Sequence, residues 1–414
     1  MSLSSFSIFA IAAPPSATSS PIRDRITPVK RLFRNYKLVL KDGVATALDL
    51  LAVDGRIAQI APGIVPPEDC HVSDGEGKYL SPGFIDIHVH GGAGFDFMDA
   101  DAAEYAAIAE FHTRHGTTTL YPTLVGGELE TTRAASEALT SAAERTAVHM
   151  PGLHIEGPFL NPAQAGAIDP RGIREVDEKY FSALLAVCPS LKRMTFAPEL
   201  EGSERLIRAM LDHGVVPSIG HTDATCEQVI RTFDEGCRLM THFYSAMSTV
   251  RRINAYRVAG TVEAGYLLDD MRVEIIADGA HLPGDLLRLI CKQKKKDRAV
   301  LVTDAMRGAG QTEGETTLGA RNSGLVAIIE DGVAKLPDRS AFAGSVATAD
   351  RLLRTMRKET TLPLHEIVAM ATLNPATAMG IETYTGSLEP GKAADLVVFD
   401  ENINVSETYV LGSR

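Results

Sequence analysis

The sequence predicts an α/β protein: a (β/α)8 TIM barrel carrying a small β-sandwich domain built from both chain ends. Three observations carry that expectation. From Tyr79 onward, short apolar runs alternate with helix-like stretches about eight times. Alternating strand and helix implies a parallel sheet, and eight such units close into a barrel. Ahead of them, residues 33–81 hold strand-like runs punctuated by Asp42-Gly43 and Asp54-Gly55, a strong hairpin signal. Behind them, residues 382–414 hold two more strand-like runs that can return to the same small domain. The expected division is a flexible tail over 1–32, the small β-domain over 33–81 and 382–414, and the barrel over 82–381. A doubly wound open sheet is the other arrangement that the alternation allows.

In chain order, the Pro/Ser/Thr-rich stretch 14–21 reads as tail. The apolar patch 6–13 lacks the preceding Lys or Arg of an export signal. Residues 36–40, 48–53 and 56–60 are the strands expected first. The eight barrel runs are 84–87, 117–121, 149–155, 194–196, 215–219, 238–241, 273–276 and 300–303. Stretches between them, such as 102–112 and 203–213, are rich in Ala, Glu and Leu, which favour helix. Past the eighth run, 325–329 and 332–336 flank Glu330-Asp331 as a hairpin. Residues 346–357 and 364–371 then read as helices, Asn374-Pro375 as a turn, and 392–400 and 405–411 as strands.

A chain of 414 residues can bury a large core. Its 45% hydrophobic and 23% charged content is ordinary for a globular protein. The net charge of −12 argues against nucleic acid or an anionic membrane as a general partner. No apolar run is long enough to span a bilayer. The five cysteines, Cys70, Cys188, Cys226, Cys237 and Cys291, form no C-x-x-C pair and suit free thiols in a reducing, cytoplasmic setting.

The polar residues that end the runs carry the functional argument. The first run ends in His88-Val89-His90. Residues two apart on a strand face the same side, so both imidazoles can reach one metal. Taken alone, the pair reads more readily as two hydrogen-bonded structural histidines near a turn. The third run ends in Glu156, the fifth in His221, the sixth in His242, and the eighth in Asp304. Together they put imidazole or carboxylate at the C-terminal ends of five strands, where barrel enzymes place their sites. Such ligands without thiolate suit a divalent metal, Zn²⁺, Fe²⁺, Mn²⁺ or Co²⁺. His281 lies several residues past the seventh run and reads as a substrate contact. His112 and His115 read as structural, on the opposite barrel face.

These motifs resemble the amidohydrolase superfamily, and within it the N-acetylglucosamine-6-phosphate deacetylases. The resemblance rests first on Pro82-Gly83-Phe84-Ile85-Asp86-Ile87-His88-Val89-His90-Gly91, His154-Ile155-Glu156-Gly157-Pro158-Phe159 and Ala197-Pro198-Glu199. Gly220-His221-Thr222-Asp223-Ala224-Thr225, Thr241-His242-Phe243-Tyr244-Ser245-Ala246-Met247 and Ile276-Ala277-Asp278-Gly279-Ala280-His281 follow. Leu301-Val302-Thr303-Asp304-Ala305, Phe342-Ala343-Gly344-Ser345 and Pro390-Gly391-Lys392-Ala393-Ala394-Asp395-Leu396-Val397 complete it. It implies that Glu156, His221 and His242 hold one metal, and that His88 and His90, with Glu156 bridging, can hold a second. It further implies Asp304 as general base and His281 as a substrate contact. Ser245 and Ala246 would lie near the substrate phosphate, and Phe342, Ala343 and Gly344 would line the pocket.

Three departures from the family stand out. Ile168 occupies the place of a sugar-contacting His, and Ser245 that of an Asn. The family's phosphate-binding Arg finds its nearest match in Arg257, displaced along the chain, with Arg251, Arg252 and Arg307 as other candidates. An arginine at any of these can fork onto a phosphate or carboxylate, although Arg307 reads equally as a surface residue.

The implied reaction is metal-dependent hydrolysis of N-acetylglucosamine 6-phosphate to glucosamine 6-phosphate and acetate. Asp304 would take a proton from the attacking water and return one to the leaving amine. N-acetylgalactosamine 6-phosphate or another N-acylated amine is the nearest rival substrate. A non-catalytic barrel would show eroded ligands, whereas His88, His90, Glu156, His221, His242 and Asp304 are all present. The expected partners are a small anionic N-acetylated substrate and, by resemblance, a second copy in a homodimer.

Overall fold

The computed structural model describes residues 30–414. All eight expected barrel strands are present: Phe84–Val89, Thr117–Val125, Leu153–Glu156, Leu191–Phe196, Val216–Ile219, Leu239–Met240, Arg272–Ile275 and Ala299–Leu301. They are hydrogen-bonded in chain order, each pair parallel. The circle closes between first and last. Val89 bridges Ala305 in parallel, and the Asp304 N–H donates to the His88 carbonyl at 2.9 Å. That closure excludes the open sheet, because an open sheet leaves two unpaired edges.

The helices pack on the outside through apolar stripes. Ser203–Asp212 buries Leu206, Ile207 and Met210, and Cys226–Asp234 buries Val229. The second of these starts on a capping box, Thr225 with Gln228, directly after the His221 loop. The helix Leu373–Ala378 packs Ala376 against Ile85, Ile87, Val300 and Val302. Asn374 and Pro375, expected as a turn, therefore lie in the first turn of a helix, where proline is tolerated because its missing N–H has no partner to lose.

Strands from both chain ends build the sandwich. One sheet runs Arg56–Ala61, Asp49–Val53, Lys30–Arg34, Cys70–Asp74. The other runs Val405–Tyr409, Leu396–Phe399, Tyr79–Pro82, Lys37–Leu40, Gly43–Ala45. Phe33, Leu38, Leu50, Leu80, Leu396 and Tyr409 meet between them. The Asp54-Gly55 hairpin forms as expected, both residues at positive φ (49° and 77°). The turn at Asp42 leads instead into the short strand Gly43–Ala45; 49–53 belongs to the other sheet, paired with Lys30–Arg34. The first strand begins at Lys30, so the end of the segment read as tail belongs to a sheet; the rest of that segment lies outside the described residues.

Only one residue, Gly83, separates the sandwich strand Tyr79–Pro82 from the first barrel strand. A Cβ there would lie 2.1 Å from Thr118 Oγ1, so glycine lets the first two barrel strands close up. After the eighth strand, Gly314–Leu318, Leu325–Glu330, Val333–Lys335 and Phe342–Ser345 form a four-stranded antiparallel insert over the barrel mouth, with the expected hairpin at Glu330-Asp331.

Gly220, just before His221, is equally confined: a Cβ would sit 2.8 Å from Thr195 Cγ2 and 2.9 Å from Thr241 Cβ. Gly220→Ala is therefore expected to cost about 1–3 kcal/mol of stability by overpacking, measured by denaturant unfolding against the parent.

Candidate metal centre and active site

Five side chains from four strand ends and the third-strand carboxylate meet at the barrel mouth. Glu156 is the hub. Its Oε1 lies 3.0 Å from His221 Nε2 and 2.8 Å from His242 Nε2. Its Oε2 lies 3.3 Å from His90 Nε2 and 3.6 Å from His88 Nε2. Asp304 Oδ1 is 3.2 Å from His90 Nε2 and 3.6 Å from His88 Nε2. Three of these residues end their strands in left-handed backbone: His221 (φ 49°), His242 (φ 29°) and Asp304 (φ 48°). Each such conformation costs of order 1–3 kcal/mol outside glycine and persists where the surroundings over-determine it.

The arrangement fits a divalent metal. The Nε2 atoms of His221 and His242 are 3.1 Å apart, and those of His88 and His90 are 3.3 Å apart. Two facing lone pairs repel, and only one of each pair can carry a proton toward the other. A cation turns all of them into ligands, and nitrogens at 2.0–2.1 Å in a tetrahedral shell stand about 3.3 Å apart. His221 Nδ1 donates to the Gln164 carbonyl at 2.8 Å, and His88 Nδ1 to Glu274 Oε2 at 3.2 Å, so both rings turn Nε2 inward. Two trios result, His88–His90–Glu156 and Glu156–His221–His242, sharing the carboxylate.

Comparison with known proteins identifies the family. Residues 79–414 match the amidohydrolase family. The chain belongs to the amidohydrolase family. It is 33% identical over 386 residues to an N-acetylgalactosamine-6-phosphate deacetylase of Escherichia coli O157:H7, covering 92% of this chain and 98% of that one. It is 33% identical over 384 residues to an N-acetylglucosamine-6-phosphate deacetylase of Lysinibacillus sphaericus, covering 92% and 96%. Among solved structures, an N-acetylglucosamine-6-phosphate deacetylase from Pasteurella multocida superposes with TM-score 0.85 at 27% identity, over 92% and 98% of the two chains. A mutant of the Mycobacterium smegmatis enzyme in complex with N-acetyl-D-glucosamine-6-phosphate superposes with TM-score 0.84 at 29% identity, over 93% and 99%.

Beneath the cluster of this amidohydrolase lies a layer of buried polar groups that motif reading missed. Glu274, on the seventh strand, accepts from His88 Nδ1 and, at 3.0 Å, from the His242 N–H through the same oxygen. Its other oxygen pairs with Arg193, on the fourth strand. The Arg193 guanidinium crosses the barrel to donate to the Ile87 carbonyl at 2.9 Å and to Ser218 and Thr241 Oγ atoms at 3.0 Å. Both side chains are wholly buried. Glu199, half-buried and part of the Ala197-Pro198-Glu199 motif already noted, steadies the loop after the fifth strand, accepting from Asn161 Nδ2 at 2.8 Å, from the Asp223 N–H at 2.6 Å and from Thr222. The one available signal was a charged residue inside an otherwise apolar run, as at Glu274 between Val273 and Ile275.

The electrostatics follow from burial and proximity. Burial lowers the His88 imidazole, but Asp304 and Glu156 outweigh it and raise the group to about 9; His90 rises in the same way. Burial raises the Asp304 carboxyl, but His88 and His90 overcome that and hold it at about 2. Glu156 is likewise held well below the usual carboxylate range. His154, beneath His88, is pushed far down by burial and by Arg193, so it is a neutral structural ring bonded to Thr123 and Thr195.

A cavity of about 210 Å³ opens over the cluster. Ser245, Ala246, His281, Phe342 and Gly344 line it as expected, and so does Ile168. His281 Nδ1 bonds Asp278 Oδ2 at 2.8 Å, and its ring lies 4.5 Å from that of Phe342.

Four expectations are corrected. Ala343 is fully buried in the insert's own core with Met306 and Ile329, because strand alternation turns it away from the cavity that its neighbours face. Arg307 is buried, with Nε on the Thr317 carbonyl at 2.9 Å and Nη2 on the Gly319 carbonyl at 2.5 Å; it ties the insert to the loop after Asp304 and does not line the cavity. Arg257 lies exposed on the two-stranded hairpin Arg251–Ile253 and Tyr256–Val258, away from the cavity lining. His112 is structural as expected, but its Nε2 donates to the Gly91 carbonyl at 2.9 Å, so it backs the loop that carries His90 rather than the far barrel face.

Because metal must displace protons from His88 and His90, affinity is expected to climb with pH, the His88 proton contributing about tenfold per unit until about pH 9. Chelator competition between pH 6 and 9, with proton release followed in buffers of different ionisation heat, checks this. Glu274→Gln keeps the side chain's shape but weakens the hold on His88. It is expected to reduce metal affinity about 10- to 100-fold in the same assay.

Proposed function

We propose that this chain hydrolyses the N-acetyl amide of an amino sugar 6-phosphate, N-acetylglucosamine 6-phosphate foremost. The observation that carries this reading is Asp304: an ionised, buried carboxylate 3.2 Å from His90 at the rim of a ligand cluster, facing a cavity lined by polar contacts. The relatives named for this activity support the substrate class. N-acetylgalactosamine 6-phosphate is the second reading, favoured by the E. coli relative.

Glu156, His221 and His242 would hold a divalent cation, and His88 and His90 could hold a second; such an ion would supply Lewis acidity for the amide carbonyl and lower the pKa of the attacking water. Both trios being complete supports one or two ions of Zn²⁺, Fe²⁺, Mn²⁺ or Co²⁺. Asp304 accepts the proton of the attacking water on its carboxylate. The same group then delivers a proton to the amide nitrogen, which leaves as an amine only once protonated. His281, oriented by Asp278, turns its other ring nitrogen toward the sugar. Ser245 and Ala246 bound the cavity where the phosphate end lies. Five unpaired cysteines suit a reducing cytoplasm, and a homodimer follows from the family resemblance.

A panel of N-acetyl sugars with and without 6-phosphate, run on metal-replete protein, tests the substrate. Asp304→Asn is expected to lower kcat about 10²–10⁴-fold with metal still bound by elemental analysis; unchanged turnover would remove Asp304 from the reaction.

A further inference from the structure

A second cavity, of about 440 Å³, adjoins the catalytic one. Val125, Ala167, Ile168 and Leu318 line both. Its size falls in the range of about 300–1,000 Å³ usual for ligand sites. Met98 and Leu325 extend its apolar wall. Of its charged side chains, Arg171 pairs with Asp169 through bonds of 2.9 and 3.0 Å, and Glu128 is exposed to solvent.

The position of this chamber says which end of a substrate it meets. An amide over the metal cluster has an amine end and an acyl end. Ser245 and Ala246 follow the sixth barrel strand and His281 the seventh, and these hold the amine end in the proposed function. Val125 ends the second strand and Ile168 follows the third, on the other side of the eight-stranded circle. The acyl end therefore points toward Val125, Ile168 and Leu318, so Ile168 meets the acyl group and not the sugar that the resemblance implied, and the second chamber lies behind them. A polar ring at position 168 would close that route to an alkyl chain; isoleucine offers it an apolar surface.

We infer that the second chamber is an acyl subsite, and that the enzyme takes N-acyl amino sugar phosphates with acyl chains longer than acetyl. This rests on the proposed function. The reaction balances as before. The water oxygen bonds the acyl carbon, the C–N bond breaks, the amine takes a proton, and the released acid is butanoic or hexanoic instead of acetic. Each methylene moved from water onto an apolar wall favours binding about fourfold.

The test is a series of N-acetyl-, N-butanoyl- and N-hexanoylglucosamine 6-phosphate on metal-replete enzyme, compared with a plugged variant. Gly172 borders the second chamber, and a Cβ built on it meets nothing within 4 Å, so Gly172→Phe adds a ring to the chamber without a backbone clash. Ser323→Phe, from another part of the wall, is the second plug should the first fail to fold. The expected result is a kcat/KM for the longer chains within about tenfold of acetyl or above it, with a plug that lowers the longer chains at least about tenfold and spares acetyl. Turnover of acetyl with a loss beyond about 100-fold by butanoyl overturns the acyl subsite and leaves the proposed function standing. Longer chains that are hydrolysed but ignore both plugs also overturn it. No turnover of any member overturns the proposed function and the subsite with it.

Discussion

The site depends on one buried carboxylate surrounded by imidazoles. Glu156 is 4% exposed and faces four histidines through two oxygens. A buried charge must be paired, and facing imidazole lone pairs must share something positive. A cation meets both demands at once. Without one, protons do, which is why His88 and His90 are driven up while Glu156 and Asp304 are driven down. The left-handed backbone at His221, His242 and Asp304 is held where the ligands converge.

The Arg193–Glu274 pair gives that centre its floor. Buried ion pairs contribute little net stability, because desolvation offsets their attraction. Here the geometry matters more. One carboxylate oxygen sets the His88 tautomer and holds the His242 backbone, while Arg193 ties the first, fifth, sixth and seventh strands together beneath them. Two histidines from distant parts of the chain are thereby positioned by one group. The sandwich contributes from the other side, since Tyr79–Pro82 feeds the first barrel strand with one glycine between.

The insert gives the site its shape. Phe342 and Gly344 face the catalytic cavity while Ala343 faces the insert's core, and Arg307 bonds the insert's backbone to the loop after Asp304. The same insert supplies Leu318 and Leu325 to the larger chamber. Substrate shape is thus set by a segment outside the eight-fold repeat, while the chemistry sits on the strands.

The eight strands and the convergence of His88, His90, Glu156, His221, His242 and Asp304 at the barrel mouth were legible in the sequence because both signals are local. An apolar run marks a buried strand, and a His or carboxylate at its end marks the barrel mouth. Ser245, Ala246 and His281 were legible through motif resemblance. Arg193 and Glu274 were not, since a lone charge within a short run does not reveal a partner some eighty residues away. The fate of the arginines was illegible for a related reason: exposure at Arg257 and backbone capture at Arg307 depend on what packs beside them, not on their neighbours in the chain. By itself the sequence determined the strand order and the residue types that meet at the barrel mouth, because periodicity and side-chain chemistry are carried residue by residue. Only the tertiary structure decided the closure of the barrel, the charged floor and the two adjoining chambers, because each is made by groups far apart in sequence that are brought together by packing.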